Sequence, residues 1–185
     1  NLSFLSLIIM LLMFKANYQE NKLYSINNLL CKSYNNNYYA NIGSTIFLYS
    51  KYIEWIDTLF IHLSNKKISD LHYTHHMSTA FLLYYNIINE VESNALIPIG
   101  LNCFVHIFMY YYFAFPYGFM SKFRKLITQI QLVQHFTVLS TSIYIINLNN
   151  CKKNKYGTEL CIILYSMYIV YFSKFYINTY IKKIK

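Results

Sequence analysis

The chain has 185 residues, of which 56% are hydrophobic, 19% aromatic and 12% charged, with a formal net charge of +9. Four glycines and two prolines are too few for a soluble sandwich or a glycine-rich nucleotide fold. Most lysines fall in short gaps between apolar runs, where membrane proteins place them, so the positive charge reads as membrane-flanking charge and excludes a nucleic-acid surface.

Apolar runs of about 20 residues recur, the length that crosses a bilayer as a helix. The fold class that follows is an all-α polytopic membrane protein, a helical bundle. It forms a single transmembrane domain over residues 1–185, with no internal repeat and no dividing linker. In chain order, the apolar run at 2–14 is too short to span and reads as the end of a helix that begins upstream. It lacks the basic start and small-residue cleavage site of a signal peptide. A polar stretch follows at 15–43. Spans are expected at 44–63, 71–89, 94–115, 126–147 and 159–181, which makes five full spans plus the partial one.

Alternation of the gaps places eight Lys/Arg residues on the side of 64–70, 116–125 and the tail, against six on the other. The positive-inside rule then assigns the C-terminus to the cytosol. The tail Lys182-Lys183-Ile184-Lys185 resembles a dilysine retrieval signal of the endoplasmic reticulum; a plain basic flank is the other reading. The same topology puts Cys31 and Cys151 in loops on the oxidising side and Cys103 and Cys161 inside spans. A Cys31–Cys151 disulfide is one reading, two unpaired thiols the other.

Several polar groups fall where lipid should be. His72, His75 and His76 have the i, i+3, i+4 spacing that places all three on one helical face. Lys51, Glu54 and Asp57 lie three apart in the span at 44–63, and Thr58 joins their face. Each such charge near mid-bilayer costs about 2.5–3.5 kcal/mol, so intramembrane ionisable groups are read as functional, with a buried structural ion pair as the alternative. Asn102 and His106 are i, i+4 partners in the span at 94–115. Thr128, Gln131 and Gln134 recur every three residues in the next and can hydrogen-bond across helices. His62 and His135 stand alone. The expected topology brings these groups into the cytosolic half of the bundle as one polar chamber, with aromatic residues lining an apolar tunnel beneath it.

Four stretches together resemble the ELO family of membrane fatty-acid elongases. They are Lys51-x-x-Glu54-x-x-Asp57-Thr58, His72-x-x-His75-His76, Asn102-x-x-x-His106-x-x-Met109-Tyr110 and Thr128-x-x-Gln131-x-x-Gln134. The resemblance covers the chain from Leu2. It implies seven spans, the first of them lacking here. The chain departs from the usual pattern at Lys67, where many members carry Gln, at Asp70, where they carry an apolar residue, and at Phe113, where a tyrosine is usual. The activity implied is an acyltransferase, a very-long-chain 3-oxoacyl-CoA synthase. It condenses a long acyl-CoA with malonyl-CoA to 3-oxoacyl-CoA, carbon dioxide and CoA.

On that resemblance, His75 accepts the acyl group as an imidazole nucleophile and His106 assists. His72 and His76 orient these groups or bind the thioester. Glu54 and Asp57 fix histidine tautomers, with Lys51, Thr58 and Asn102 in support. Asn102, Gln131 and Gln134 donate to the carbonyl oxygen, and Tyr110 contacts substrate. Lys66, Lys67, Lys122, Arg124 and Lys125 offer a basic rim for the CoA phosphates. No tightly bound cofactor and no metal are implied. Membrane lipids, the elongation-cycle reductases and dehydratase, and a second copy of the chain are the implied partners, and the endoplasmic reticulum membrane is the implied location. Two other readings compete. A membrane di-iron desaturase or hydroxylase also carries a His-x-x-His-His box, but needs more histidines than the six present. A transporter or receptor could use the Lys51, Glu54 and Asp57 group as an ion site.

Overall fold

The computed structural model describes residues 2–20, 30–31, 34, 36–65, 68–89, 93–117, 119–149, 151 and 153–182. Six long helices carry the fold: α1 Leu2–Glu20, α2 Tyr38–Leu63, α3 Asp70–Ile88, α4 Ser93–Ala114, α5 Arg124–Ile146 and α6 Lys155–Tyr176. A 3₁₀ turn, Phe119–Phe123, leads into α5, and a π-helical turn, Ile177–Ile181, continues α6. No strand occurs among the described residues.

The helices start where the sequence supplies caps. Asn37 accepts from the backbone N–H of Tyr39 and Ala40 at 3.1 Å each, so α2 begins six residues before the apolar run does. Ser69 accepts from His72 N–H at 3.2 Å to open α3, and Asn154 accepts from Gly157 N–H at 3.1 Å to open α6.

Packing closes the six helices into a ring. α1 packs on α2 and α4, α2 on α3, α3 on α6, α6 on α5, and α5 on α4. Ile9, Met13, Phe47, Ile99 and Cys103 join α1, α2 and α4. Leu82, Val138, Tyr165, Tyr168 and Phe172 join α3, α5 and α6. The outer faces carry exposed apolar side chains such as Leu11, Phe14, Val133, Ile163 and Val170, as a lipid-facing surface must.

The expected short stub at 2–14 is a full helix of 19 residues. It continues past Phe14 because its later polar groups have partners. Lys15 Nζ lies 4.2 Å from the Tyr39 ring centroid, and Tyr34 Oη donates to Asn17 Oδ1 at 3.2 Å. Among the described residues, three segments are long and apolar enough to cross a membrane by composition alone, Leu2–Gln19, Ala95–Ala114 and Lys155–Ile181. α2, α3 and α5, at 26, 19 and 23 residues, are as long. Their hydropathy is lowered by the polar motif residues they turn toward the ring interior.

At the end of the ring away from the histidines, Cys31 and Cys151 form a disulfide across a sequence separation of 120. The Lys153 ammonium donates to the carbonyls of Ile145, Ile146 and Leu148 at 3.0, 2.6 and 2.8 Å, closing the end of α5.

Candidate active site

The ring encloses a cavity of about 1030 Å³ to which all six helices contribute. Leu2 comes from α1, Asp57, Phe60 and Ile61 from α2, and the three motif histidines from α3. Asn102, Val105, His106, Met109, Tyr110, Tyr112 and Phe113 come from α4, and Thr128, Gln131, Gln134 and His135 from α5. Phe172 and Phe175 come from α6, with Thr179 and Tyr180 from the π-helical turn. The four motif stretches, far apart in sequence, therefore meet in one chamber.

Behind the wall, Glu54 approaches two of the lining histidines, His76 and His106. Glu54 and Lys51 are each only 2% exposed, and their charges meet at 2.8 Å. Lys51 Nζ also donates to Asn102 Oδ1 at 2.9 Å, tying α2 to α4. Glu54 Oε1 lies 3.3 Å from His106 Nδ1, and Glu54 Oε2 lies 3.5 Å from His76 Nδ1. One carboxylate thus faces an ammonium and two imidazoles from three helices. The Nδ1 side of His106 is turned to an acceptor, which leaves its Nε2 as the nitrogen with a lone pair.

The histidine trio divides. His72 and His76 stack with centroids 4.3 Å apart and face α2. There His72 Nε2 meets Thr58 Oγ1 at 2.9 Å, and the Trp55 indole donates to the His76 carbonyl at 3.1 Å. His75 turns the other way. Its ring neighbours across the interface are His135 of α5 and Tyr168 and Phe172 of α6, at 6.0, 5.0 and 5.9 Å. All three line the same cavity, on the shared face expected from the spacing, with His75 toward α6 and His72 and His76 toward α2 because α3 packs between those helices. The hydrogen bond to His72 comes from Thr58, while Asp57 lines the cavity beside it.

On α5, Gln131 Nε2 donates to Met109 Sδ at 3.5 Å, and Thr128 Oγ1 lies 3.4 Å from Tyr180 Oη, both links between helices. Tyr110 packs its ring 5.3 Å from that of His106. Arg124 lines the cavity where its guanidinium lies over Tyr180. Lys122 is exposed in the 3₁₀ turn, outside that lining. Lys66 and Lys67 lie outside the described residues. Cys103 packs into the α1–α2–α4 core and is not part of the cavity wall.

Four buried side-chain atoms among the described residues have no hydrogen bond: Glu54 Oε2, His76 Nδ1, Gln134 Nε2 and His135 Nδ1. Buried polar atoms are normally satisfied, and this group clusters at the chamber. His135 was not singled out by any motif. Its signal in the sequence is its place four residues after Gln131, which puts both on one stripe of α5. Beyond Asn102 and Lys51 lies a second cavity, of about 60 Å³, whose wall includes Asn86, Ser142, Cys161 and Tyr165.

Comparison with known proteins agrees with this arrangement. The whole chain, residues 1–185, matches the family described as ELO, the GNS1/SUR4 family. Fatty acid elongase sre1 of Dictyostelium discoideum is 28% identical over 186 residues, covering 97% of this chain and 69% of that protein. Very long chain fatty acid elongase F of Drosophila melanogaster is 33% identical over 148 residues, covering 75% of this chain and 57% of its own length. Two relatives from Schizosaccharomyces pombe are 32% and 30% identical, and the chain spans only 42% and 44% of their lengths. With four motifs converging on one chamber and the match running from end to end, the chain belongs to the ELO family of membrane proteins.

Proposed function

We propose that this chain is the catalytic membrane domain of a fatty-acid elongase, and that its chamber carries out the decarboxylative condensation of an acyl-CoA with malonyl-CoA. The observation that carries the reading is the Glu54 cluster, which turns His76 and His106 toward one carboxylate at the wall of a cavity that His75 also lines.

In the first half-reaction, a neutral ring nitrogen of His75 attacks the thioester carbonyl. The C–S bond breaks and CoA leaves as thiolate. Negative charge on the carbonyl oxygen is met by amide donors. Gln134 Nε2 is unpartnered, and Asn102 spends its carbonyl on Lys51, which frees its NH₂ for the cavity it lines. In the second half-reaction, malonyl-CoA loses carbon dioxide and the resulting enolate attacks the acyl carbon. The C–C bond forms, the C–N bond to His75 breaks, and 3-oxoacyl-CoA departs. His106, oriented by Glu54, assists at the acyl carbonyl or the enolate. The acyl chain takes the apolar wall formed by Ile61, Val105, Phe172 and Phe175. Arg124, with its exposed guanidinium at the cavity edge, meets a CoA phosphate. The setting is the endoplasmic reticulum membrane with a cytosolic C-terminus. There the product passes to reductases and a dehydratase, and the chain can pair with a second copy.

The test is an assay of the full-length protein in microsomes with labelled malonyl-CoA and a panel of acyl-CoAs, His75→Ala alongside. The expected result is chain-length-dependent incorporation by the wild type and none by the variant. No incorporation by well-expressed wild type overturns the reading; a folded His75→Ala protein of normal rate overturns the histidine assignment.

A further inference from the structure

His135 lies outside all four motifs, yet it is among the most buried polar residues of the chamber, at 3% exposure. Its ring sits in an aromatic cage, 4.6 Å from Phe172 and 5.6 Å from each of Tyr165 and Tyr168. A phenyl ring would fill this cage. An imidazole instead leaves Nδ1 buried without a hydrogen bond, which costs stability and calls for a use.

The ring nearest it with chemistry to perform is that of His75, with centroids 6.0 Å apart. The other neighbours of His75 are turned elsewhere. His76 points its Nδ1, itself without a hydrogen bond, at the Glu54 carboxylate 3.5 Å away, the Tyr168 hydroxyl is bonded to Ser78 at 2.6 Å, and Phe172 has nothing to offer. Among the described residues the ring neighbours of His75 are His76, His135, Tyr168 and Phe172, with no carboxylate among them, unlike those of His76 and His106. Acyl transfer to one nitrogen of His75 makes the other nitrogen strongly acidic, and that proton needs an acceptor.

We propose that His135 is a positioning residue for His75, holding that proton between the two half-reactions. This rests on the reading of His75 as acyl acceptor. When the His75 nitrogen bonds the acyl carbon and the C–S bond breaks, the proton on the second His75 nitrogen passes to His135. That leaves a neutral acyl-imidazole and an imidazolium. When the enolate displaces His75, the C–N bond breaks and His135 returns the proton to the departing imidazole. The CoA thiolate takes its proton from solvent at the chamber mouth. At 6.0 Å the rings are slightly too far apart for a direct hydrogen bond, and such contacts commonly tighten only when substrate binds.

The experiment uses full-length protein with His135→Phe, which keeps the cage filled, and His135→Gln, which keeps a hydrogen-bonding group but holds no proton. Thiol release from acyl-CoA alone is followed in a single turnover, and labelled malonyl-CoA incorporation at steady state gives kcat and KM. Both variants are expected to lose about tenfold or more in acyl transfer and kcat with KM for acyl-CoA unchanged, and His135→Phe, which removes the unpaired Nδ1, is expected to melt no lower than the wild type. A His135→Phe protein of wild-type rate overturns the proposal. So does a folded His135→Gln protein of wild-type rate, including where the Phe variant fails to fold. Wild-type protein that neither releases thiol nor incorporates label overturns this proposal and the elongase reading together; active wild type with active variants overturns this proposal alone.

Discussion

A carboxylate and an ammonium buried together gain little net stability, because losing water from both ions cancels most of their attraction, but removing one partner leaves an uncompensated buried charge. Lys51 and Glu54 are in that position at 2.8 Å. Lys51→Met is therefore expected to destabilise the protein by about 3–5 kcal/mol, read as a fall in melting temperature in detergent. Adding Glu54→Leu should recover much of that loss without restoring activity, since the imidazoles of His76 and His106 then have no carboxylate to face. A single Glu54→Gln change separates the two roles. It keeps the shape and should lower kcat by about 10–100-fold with little change in acyl-CoA KM, and an unaltered kcat would show that histidine orientation does not depend on this residue. The sequence made the identity of these residues legible, because charges do not sit idle in an apolar run. It did not reveal that His75 meets α6 while His72 and His76 meet α2. That depends on which helices flank α3, and no local spacing records it. Nor did it single out His135, whose meaning comes only from the cage that α3 and α6 build around it.

Among the elements, the spans expected at 71–89, 94–115 and 126–147 match α3, α4 and α5 to within two residues at each end. Apolar length and polar gaps determine a membrane helix directly. The misses are at α1, the start of α2 and the start of α6, which opens at Lys155, four residues before the expected 159. Polar residues at the first two ended the apolar run but are carried into the helix by a cation–π contact, a tyrosine hydrogen bond and an asparagine cap. The loops at the far end are fastened rather than packed. Cys31 and Cys151 are joined, and Lys153 holds three carbonyls. Cys31→Ser should abolish a mobility shift seen only without reductant. It should also lower stability by up to about 4–5 kcal/mol on a chain-entropy estimate for a loop this long. Cys103→Ser should do neither to the mobility pattern. A shift that persists in Cys31→Ser would contradict the pairing.

For the whole molecule, the ring of six helices puts polar groups inside and apolar groups outside, the inverse of a soluble bundle. Val170, 65% exposed near the middle of the most apolar segment, should face lipid. Val170→Asp should then impair insertion, at a cost of about 2.5–3.5 kcal/mol, seen as loss of membrane-integrated protein after alkaline extraction. Unimpaired integration would contradict the outward assignment. The closed ring is also what makes one chamber out of four motifs, and the central claim is that a histidine of this chamber takes the acyl group. The most direct measurement is incubation of full-length protein with acyl-CoA alone, followed by thiol release and mass spectrometry of rapidly quenched protein. Acyl transfer to His75 should give stoichiometric CoA release and an acyl mass increment on the peptide carrying His75, absent in His75→Ala. Thiol release without an adduct on that peptide, or an adduct on Cys103 or Cys161 instead, would contradict it.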